Sequence, residues 1–549
     1  MKASDLFVQC LEAEGVERIY GVPGEENADF MKSLEGSSIE FILTRNEQGA
    51  AFMASVYGRL TGKIGVCLGT LGPGATNLIT GVADGNMDRS PLLVITGQGA
   101  LTRQHKESHQ VMNVVAMYRP VTKWSCAVNA PSNIPEIVNK AVKLATAEKP
   151  GACHIELAED VAAMEVDAEP MRPARPRRPV PDACVIDEVW DKLKAAKSPL
   201  IIAGNGAIRT RASAQLRTLC EATGIGALMT FMAKGALDLD DPRCLFTVGM
   251  GQRDFPQLAI NAADVVLTVG YDPVEYGPEK WNADCGAEII HMDFDPAESD
   301  QFYQPAIEVV GDLAHGLSLL NDRVKRDGAP SYDLSAQAKL RNKMLAEFAE
   351  HADDTTTGAI RPQKAIADVR AVLDAGDILL SGVGAHKMWV ARHYQSHEPN
   401  TCLISNGFCS MGMPLPGAIA AKHAAPDTRV MAIVGDGDIM MNVQEMETAS
   451  RLGSDITVLV WEDKEYGLIA WKQEQEFGSH TDLSFNNPDW AALCQAMDWH
   501  HQACPDAADL QDCLRTALDH KGPAMVVIPI DYRENMILTE RLGKIDQTF

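Results

Sequence analysis

The chain has 549 residues, which exceeds the size of one hydrophobic core and predicts about two to four domains. Its composition, 46% apolar and 23% charged, is that of a globular protein. The formal net charge of −26 argues against a nucleic acid or an anionic membrane as partner, because both require clustered lysine and arginine.

The N-terminal segment and the cysteines indicate a soluble protein. Residues 1–21 have the pattern of an amphipathic helix interrupted by acids, which is not that of a signal peptide. No apolar stretch approaches the roughly 20 residues that cross a bilayer. The 13 cysteines include no Cys-x-x-Cys pair, as in proteins with reduced thiols. The sequence therefore predicts a cytoplasmic location.

Two linkers divide the chain into three blocks. Asp167–Asp182 is rich in proline and arginine and forms neither a helix nor a central strand. A second, polar stretch runs from about Asn321 to Arg361, with helical patterning around Leu340–Ala349 between unstructured flanks. The predicted domains are residues 1–166, 183–325 and 355–535.

Each block alternates short apolar runs with helical patterning, which predicts parallel sheets covered on both faces. The predicted strands are Phe41–Thr44, Ile64–Leu68, Leu92–Thr96, Leu200–Ala203, Val265–Val269, Ile378–Ser381, Val430–Val434 and Ile456–Trp461. The predicted fold class is α/β, with three doubly wound domains. Gly204-Asn205-Gly206 invites a nucleotide interpretation, but it lacks the full Gly-x-Gly-x-x-Gly pattern.

The third block contains the most informative motif, Gly435-Asp436-Gly437, which directly follows a predicted buried strand. The next predicted strand leads to Asp463, 27 positions after Asp436. Neighbouring parallel strands would bring both carboxylates to one sheet edge, where Mg²⁺ finds the hard oxygen ligands it prefers. The glycines permit a tight turn beside a phosphate, so the pattern points to thiamine diphosphate, although the motif alone is more often only a turn.

A helix is predicted after this turn. Apolar residues recur at helical spacing from Ile439 to Leu452. Such a helix would start at the turn and direct the positive end of its dipole at the diphosphate.

The first and third blocks together resemble the thiamine-diphosphate enzymes of the acetohydroxyacid synthase and pyruvate decarboxylase superfamily, and the resemblance spans the whole chain. Around Ala263–Tyr276 and Ile404–Gly407 the sequence looks most like the catabolic acetolactate synthase branch. The resemblance implies pyrimidine-binding, central and diphosphate-binding domains, in that order.

The resemblance implies that Glu47 is the catalytic acid. The family carries an Arg-His-Glu-Gln segment after its second strand, and here the segment reads Arg45-Asn46-Glu47-Gln48. In the family this carboxyl group hydrogen-bonds to the pyrimidine N1′ and favours the imino tautomer, whose nitrogen takes the proton from C2. Asn46 departs from the family's histidine. Sequence position alone would favour a solvated glutamate at a helix start.

Other segments correspond to the family residue by residue. The glycine-rich turns beside the pyrimidine and the reacting carbon correspond to Pro23, Gly24, Gly72, Gly74 and Asn77. Gln110 matches a position that reaches the substrate pocket. Met411 falls where a large apolar residue holds the cofactor bent, and the backbone carbonyl of Cys409 should accept from the cofactor's amino group. Without the resemblance, Met411 and Cys409 would be interpreted as core residues.

At the diphosphate end, the resemblance implies that Asp436 and Asp463 give side-chain oxygens to Mg²⁺ and that Glu465 gives its backbone carbonyl. Many family members have asparagine at the position of Asp463, whereas the catabolic branch has aspartate. The remaining predicted cofactor-binding residues are Gly435, Gly437, Asp438, Tyr466, Gly467 and Leu468.

The implied activity is acetolactate synthesis. In that reaction pyruvate is decarboxylated and the resulting hydroxyethyl carbanion is joined to a second pyruvate, giving 2-acetolactate and carbon dioxide. The alternatives are a 2-oxo-acid decarboxylase, a carboligase with another acceptor, or an inactive regulatory subunit with the same fold. The presence of Glu47, Asp436 and Asp463 argues against the inactive subunit. The family also implies a homodimer or homotetramer with active sites at the subunit interface.

Two segments bear on the branch of the family. Anabolic relatives hold flavin partly through an Arg-Phe-Asp-Asp-Arg run, and the corresponding Gly270–Glu275 has no arginine, so FAD is not expected. Gln110 and Gly467–Gln473 are expected to shape the acceptor site. In that segment Lys472 stands where anabolic synthases have tryptophan and catabolic ones glutamine. Two roles stay open for Lys472: it pairs with the acceptor carboxylate, or it extends into solvent. Trp471 lies one position before the family's tryptophan, and on a helix that shift rotates the side chain by roughly 100° away from the direction of the substrate.

Overall fold

The structure is a computed structural model that describes residues 1–173, 177–251, 254–284 and 286–542. It contains three sheets, each with six parallel strands among the described residues. This arrangement confirms the predicted fold class. None of the helices in these ranges is long and apolar enough to cross a membrane.

The N-terminal sheet has the strand order β2-β1-β3-β4-β6-β5. Its strands are β1 Arg18–Gly21, β2 Glu40–Leu43, β3 Gly65–Gly69, β4 Leu92–Gln98, β5 Trp124–Ala127 and β6 Ala152–Ala158. The helices of this part are α1 Ala3–Ala13, α2 Ala28–Leu34, α3 Glu47–Thr61, α4 Pro73–Met87, α5 Val114–Tyr118, α6 Ile134–Thr146 and α7 Glu159–Ala163. Strands β3, β4 and β6 are buried along their whole length, as expected for central strands covered by helices on both faces.

The middle sheet has the order β12-β11-β10-β7-β8-β9. Its strands are β7 Pro199–Ala203, β8 Ala227–Met229, β9 Cys244–Thr247, β10 Val265–Val269, β11 Glu288–Asp293 and β12 Ile307–Val310. Its helices are α8 Ala183–Ala195, α9 Asn205–Arg209, α10 Ser213–Thr223, α11 Pro256–Ala262, α12 Pro278–Trp281 and α13 Leu313–Asp327. Helix α14, Ser335–Ala349, then leads to the third sheet and buries Leu340 and Met344 in the middle core.

The C-terminal sheet has the order β14-β13-β15-β16-β18-β17. Its strands are β13 Ile378–Ser381, β14 Cys402–Ile404, β15 Val430–Gly435, β16 Thr457–Glu462, β17 His500–Ala503 and β18 Ala524–Pro529. Its helices are α15 Pro362–Val372, α16 Ala385–His393, α17 Pro414–Ala424, α18 Asp436–Ile439, α19 Glu445–Leu452, α20 Gly467–Phe477, α21 Trp490–Ala496, α22 Leu510–Asp519 and α23 Glu534–Leu542. Strand β15 lies in the middle of this sheet, so the loop that follows it opens at the carboxyl edge between neighbouring strands.

The N-terminal and C-terminal sheets share one hydrophobic core. Ala50 and Met53 of α3 lie in the same buried cluster as Leu415 and Ile419 of α17. The first and third domains of one chain therefore pack on each other directly, which fixes how the carboxyl edge of each sheet is presented.

Three elements differ from the sequence predictions. The helical pattern of residues 1–21 forms a helix only over α1, and residues 18–21 are strand β1. The helix expected from Ile439 to Leu452 is broken into α18 and α19, because the intervening Asn442 uses its side chain to hold another loop: its Nδ2 donates to the Gly412 carbonyl at 3.0 Å. The expected unstructured flank after Asn321 is helical, since α13 continues to Asp327. The positions of the domain boundaries stay predictions. Residues 174–176 of the first linker lie outside the described residues.

Candidate active site

The two predicted metal ligands lie at the ends of neighbouring strands. Strand β15 pairs in parallel with β16, with Gly435 opposite Trp461, so Asp436 and Asp463 emerge at the same edge. Asp436 is 1% exposed, and its Oδ2 accepts from the backbone N–H of Asp463 at 3.2 Å and of Lys464 at 2.7 Å. The register of one strand pair thus brings the two carboxylates together.

The electrostatics of this acidic pair fit a divalent cation. Burial, and then the neighbouring carboxylate of Asp436, raise the pKa of Asp463 to about 8. Two carboxylates held this close in a buried place repel each other unless a proton or a cation lies between them. The donor set of hard carboxylate oxygens is the one that Mg²⁺ prefers.

A cavity of about 190 Å³ adjoins the acidic pair. Ten residues that the sequence predicted line it: Met411, Gly435, Asp436, Gly437, Asp438, Asp463, Glu465, Tyr466, Gly467 and Leu468. The structure therefore assembles the whole diphosphate end of the predicted site around one cavity.

The segment after β13 also lines this cavity, and the sequence analysis missed it. Val383, Gly384, Ala385 and His386 form one wall. Nε2 of His386 and Oδ2 of Asp438 are buried, have no hydrogen-bond partner among the described residues, and lie 3.5 Å apart. Buried polar atoms without a hydrogen bond are rare, and at 3.5 Å the two atoms contact each other only loosely, so the Nε2 of His386 is left as a candidate donor to a polar ligand in the cavity. The Gly-x-Gly after a buried strand was the signal that could have identified this segment.

Close packing explains why a glycine begins that segment. A Cβ atom on Gly382 would lie 1.7 Å from Oδ2 of Asp438. Any larger residue would displace the carboxylate, whose Oδ1 accepts from the Gly412 N–H at 2.6 Å. Asp438 therefore connects the diphosphate turn to the loop that carries Met411, which is half-buried at the cavity wall.

Asn487 is a second residue that sequence reasoning missed. Its Nδ2 donates to Oδ2 of Asp436 at 2.8 Å and to Oε1 of Glu462 at 2.9 Å. These bonds orient the Asp436 carboxylate, in the way that outer partners hold metal ligands. The only local signal is Asn487-Pro488-Asp489 before α21, which reads as an ordinary helix start.

The N-terminal domain assembles the other half of the predicted site. Glu47 is the first residue of α3 and is 8% exposed. Its Oε2 accepts from Nδ2 of Asn77 at 2.9 Å, and a Cβ atom on Gly74 would lie 3.2 Å from its Oε1. The side chain of Asn46, where the family has histidine, caps α3 by accepting from the Gln48 N–H at 2.9 Å. The departure at Asn46 thus serves the helix and leaves the glutamate in place.

The remaining predicted residues of this domain lie in the loops around Glu47. Gly72 precedes α4 with a φ of +51°, and a Cβ atom there would lie 3.0 Å from the Cβ of Gln110. Pro23 and Gly24 follow β1, and Gly24 packs on the side chain of Thr70. Gln110 is exposed. These residues form one face, but none of them lines the cavity of the C-terminal domain, whose described walls run from Val383 to Tyr532.

The acceptor segment forms α20. Trp471 is 3% exposed, and its Nε1 donates to Oγ1 of Thr539 on α23 at 2.6 Å. It therefore faces the C-terminal helix, while Ile469 and Leu468 line the cavity. Lys472 is half-buried, and its predicted role at the acceptor remains a prediction.

The segment Gly270–Glu275, which corresponds to the flavin-binding run, carries acidic side chains that accept hydrogen bonds from other parts of the chain. Oδ2 of Asp272 accepts from Nε of Arg89 at 2.9 Å, and Oε1 of Glu275 accepts from the Asn205 N–H at 2.9 Å. Burial raises the pKa of Glu275 to about 7. Both carboxyl groups are thus engaged by other groups of this chain.

The fold and the site define a thiamine pyrophosphate enzyme. Three protein-family models of thiamine pyrophosphate (TPP) enzymes match the chain. They are the N-terminal TPP binding domain at residues 1–117, the central domain at 186–320 and the C-terminal TPP binding domain at 382–528. The protein accordingly binds thiamine diphosphate with a divalent metal ion, as predicted. The order of the three domains is also the predicted one.

Comparison with individual proteins identifies the family within this class of enzymes. The chain is 31% identical to acetolactate synthase of Bacillus subtilis (strain 168), over 99% of this chain and 96% of that protein. It is 32% identical to the catabolic acetolactate synthase of Raoultella terrigena, over 98% and 97%. It is 31% identical to the acetolactate synthase isozyme 2 large subunit of Escherichia coli (strain K12), over 98% and 97%. The chain belongs to the acetolactate synthase family.

Proposed function

We propose that the protein is an acetolactate synthase that converts two molecules of pyruvate into 2-acetolactate and carbon dioxide. The observation that carries the proposal is its full-length relationship to acetolactate synthases, including a catabolic one. The cavity beside Asp436 and Asp463 supports it, because it offers two hard carboxylate ligands for a metal ion and the buried Nε2 of His386, which has no hydrogen-bond partner among the described residues, as a donor to a diphosphate.

The C-terminal domain would hold the cofactor by its charged end. We assign Asp436 and Asp463 as side-chain ligands of Mg²⁺ and Glu465 as a backbone ligand, with Asn487 orienting the Asp436 carboxylate. His386 would donate to the diphosphate through the Nε2 that has no partner among the described residues. When bound, thiamine diphosphate supplies the electron sink that decarboxylation of a 2-oxo acid requires.

The N-terminal domain would supply the proton chemistry. Asn77 holds the Glu47 carboxyl group, so that its proton can be shared with the pyrimidine N1′. Met411, at the cavity wall, would support the bent shape of the cofactor. Gln110 lies beside Gly72 and would approach the substrate.

We further propose a homodimer or homotetramer with active sites between subunits. The cavity is lined by residues 383–532, whereas Glu47 lies on the N-terminal domain and does not line it in the same chain. Large apolar side chains near the site residues are exposed, as expected for a surface that a second copy covers. They are Met112, Phe408, Met440, Met441, Tyr466 and Ile469.

Mixing two impaired variants tests the shared site, at Mg²⁺ and thiamine diphosphate concentrations that saturate the wild-type protein but leave Asp463→Ala largely without cofactor. If Glu47 and Asp463 of one active site come from different subunits, a dimer of one Glu47→Gln and one Asp463→Ala chain contains one intact site. Random reassortment would then restore about a quarter of wild-type activity. A mixture that stays as inactive as its components would contradict the shared site.

The activity itself is tested by incubating the protein with pyruvate, thiamine diphosphate and Mg²⁺ and identifying the products. Acetolactate and carbon dioxide support the proposal. Acetaldehyde with carbon dioxide would instead assign a 2-oxo-acid decarboxylase, and no turnover with any 2-oxo acid would assign a subunit without activity.

We place the protein in the cytoplasm on the basis of its cysteines. The twelve cysteines in the described ranges are all free, and most are buried. Reduced thiols of this kind are typical of cytoplasmic proteins. Fractionation of cells that produce the protein, with detection by antibody, would check the location.

A further inference from the structure

The loop between β14 and Met411 contains a strained residue near its end. Cys409 adopts a φ of +56°, in the left-handed region that glycine occupies freely. For any other residue this conformation costs about 1 kcal/mol or more, so the surrounding structure must enforce it. A contact within the protein is therefore expected to hold the Cys409 backbone in this conformation.

Two hydrogen bonds to the Cys409 sulfur supply that restraint. Its Sγ donates to the Asn406 carbonyl at 2.9 Å and accepts from Nζ of Lys387 at 3.1 Å. Lys387 is 0% exposed and belongs to the first turn of α16, next to the cavity residue His386. Burial raises the pKa of the Cys409 thiol although Lys387 acts to lower it, so at neutral pH the sulfur keeps its proton and makes both bonds.

The rest of the loop is fastened to α4 and its end. Asp88 accepts from the N–H of Gly407 at 2.7 Å, and the hydroxyl of Ser405 donates to Asp84. Of these two carboxyl groups, Asp88 interacts electrostatically with the Lys387 ammonium, which lowers the cost of burying the charge. None of the hydrogen bonds among the described residues uses the Cys409 carbonyl, so its oxygen is available to a ligand.

We propose that Lys387 is a positioning residue for the cofactor. Through the Cys409 sulfur it holds the Cys409 backbone carbonyl in the orientation that accepts a hydrogen bond from the amino group of the cofactor's pyrimidine ring. The inference rests on the proposed function and on the cofactor role assigned to that carbonyl. A glycine at this position would adopt the same φ without an anchor. Cysteine requires one, and Lys387 supplies it.

A double-mutant cycle tests the proposal by binding alone. Apo-protein variants are titrated with thiamine diphosphate at fixed Mg²⁺, and tryptophan fluorescence reports the Kd. Lys387→Met should raise the Kd about tenfold, which corresponds to about 1.4 kcal/mol. In a Cys409→Gly background, the same substitution should change the Kd by less than about twofold, because no sulfur remains to anchor. An equal weakening in both backgrounds would overturn the proposal, since Lys387 would then act independently of Cys409.

A cofactor analogue without the pyrimidine amino group gives a second readout. Wild-type protein and Lys387→Met should bind this analogue equally, because the hydrogen bond in question is missing from both complexes. A weakening as large as that for thiamine diphosphate would refute the positioning role and assign a general structural one.

Lys364→Met is the matched control. Lys364 is also buried and pairs with Asp368 at 2.8 Å, away from the cavity, so its loss should leave the Kd unchanged. If Lys387→Met does not fold by circular dichroism, Lys387→Gln keeps an N–H donor and should stay within about threefold of the wild-type Kd. A folded Lys387→Gln protein that loses as much affinity for the analogue as for thiamine diphosphate would overturn the proposal, because the loss would then not involve the pyrimidine amino group. Wild-type protein that binds the cofactor but makes no acetolactate would refute the proposed activity and leave this binding test intact.

Discussion

Replacing Glu47 with glutamine removes a proton-exchanging group while keeping the shape of the side chain. The carbonyl of a glutamine can accept the hydrogen bond that Asn77 donates at 2.9 Å. The cap of α3 is unaffected, because it comes from the Asn46 side chain. The free energy of unfolding should therefore change by less than about 1 kcal/mol.

The catalytic effect of Glu47→Gln should be much larger than its effect on binding. Loss of a general acid in a proton transfer typically costs about 10²- to 10⁴-fold in rate, so kcat should fall by that factor. The Kd for thiamine diphosphate should stay within about tenfold, because the anchors Asp436 and Asp463 lie on the third domain. Acetolactate formation gives kcat, and fluorescence titration of the same preparation gives the Kd.

Glu156→Gln is the control for Glu47→Gln. Glu156 is buried in the same domain on β6 and accepts from Gln98 at 2.9 Å, and burial raises its pKa to about 7. Its replacement makes the same chemical change away from the proposed site and should leave kcat within about twofold. A Glu47→Gln enzyme with wild-type kcat, or a Glu156→Gln enzyme as impaired as Glu47→Gln, would refute the assigned role.

Four further predictions concern the metal site, the acceptor segment, flavin and a buried histidine. Asp463→Ala should raise the Mg²⁺ and thiamine diphosphate concentrations needed for half-saturation by at least about tenfold, since it removes one of few hard ligands, and unchanged titration curves would remove Asp463 from the site. If Lys472 pairs with the acceptor carboxylate, Lys472→Met should lower the ratio of acetolactate to acetaldehyde, because the positive charge is lost, whereas an unaltered ratio would show that this side chain does not hold the acceptor. The purified protein should be colourless in the visible region, and a stoichiometric flavin spectrum would move the chain to the anabolic branch. Burial lowers the pKa of His154 to about 3. Below about pH 6.5 the unfolded chain takes up a proton on this ring while the folded protein keeps the ring neutral. The free energy of unfolding should therefore fall between about pH 6.5 and pH 3, by up to about 1.4 kcal/mol per pH unit. Urea unfolding of His154→Gln should show a flatter pH dependence, and an unchanged slope would contradict the assignment.

The fold was predictable because its strands are buried on both faces. Val265–Val269 and Ile378–Ser381 have the same bounds in sequence and structure, since a continuous apolar run between turns has few other ways to be satisfied. The break between α18 and α19 was not predictable. It depends on Asn442 reaching the Gly412 carbonyl, a contact between segments 30 positions apart.

The candidate site was predictable where chemistry follows directly from strand ends. Asp436 and Asp463 were found because parallel neighbours present their carboxyl ends together. His386 follows the Gly382-Val383-Gly384 turn after β13, a signal that was present but is too short to specify a site without the contact with Asp438. Asn487 has no motif around it, and its role depends on the tertiary contact with Asp436. Under the proposed assembly, Glu47 of one subunit completes the cavity of another, so the structure of one chain does not bring Glu47 and the cavity together.

The most direct test of the central claim is the stoichiometry of the reaction with pyruvate. Protein loaded with thiamine diphosphate and Mg²⁺ should form one molecule of 2-acetolactate and one of carbon dioxide for every two molecules of pyruvate consumed. One carbon dioxide and one acetaldehyde for each pyruvate, with no acetolactate, would contradict the account and assign a simple decarboxylase.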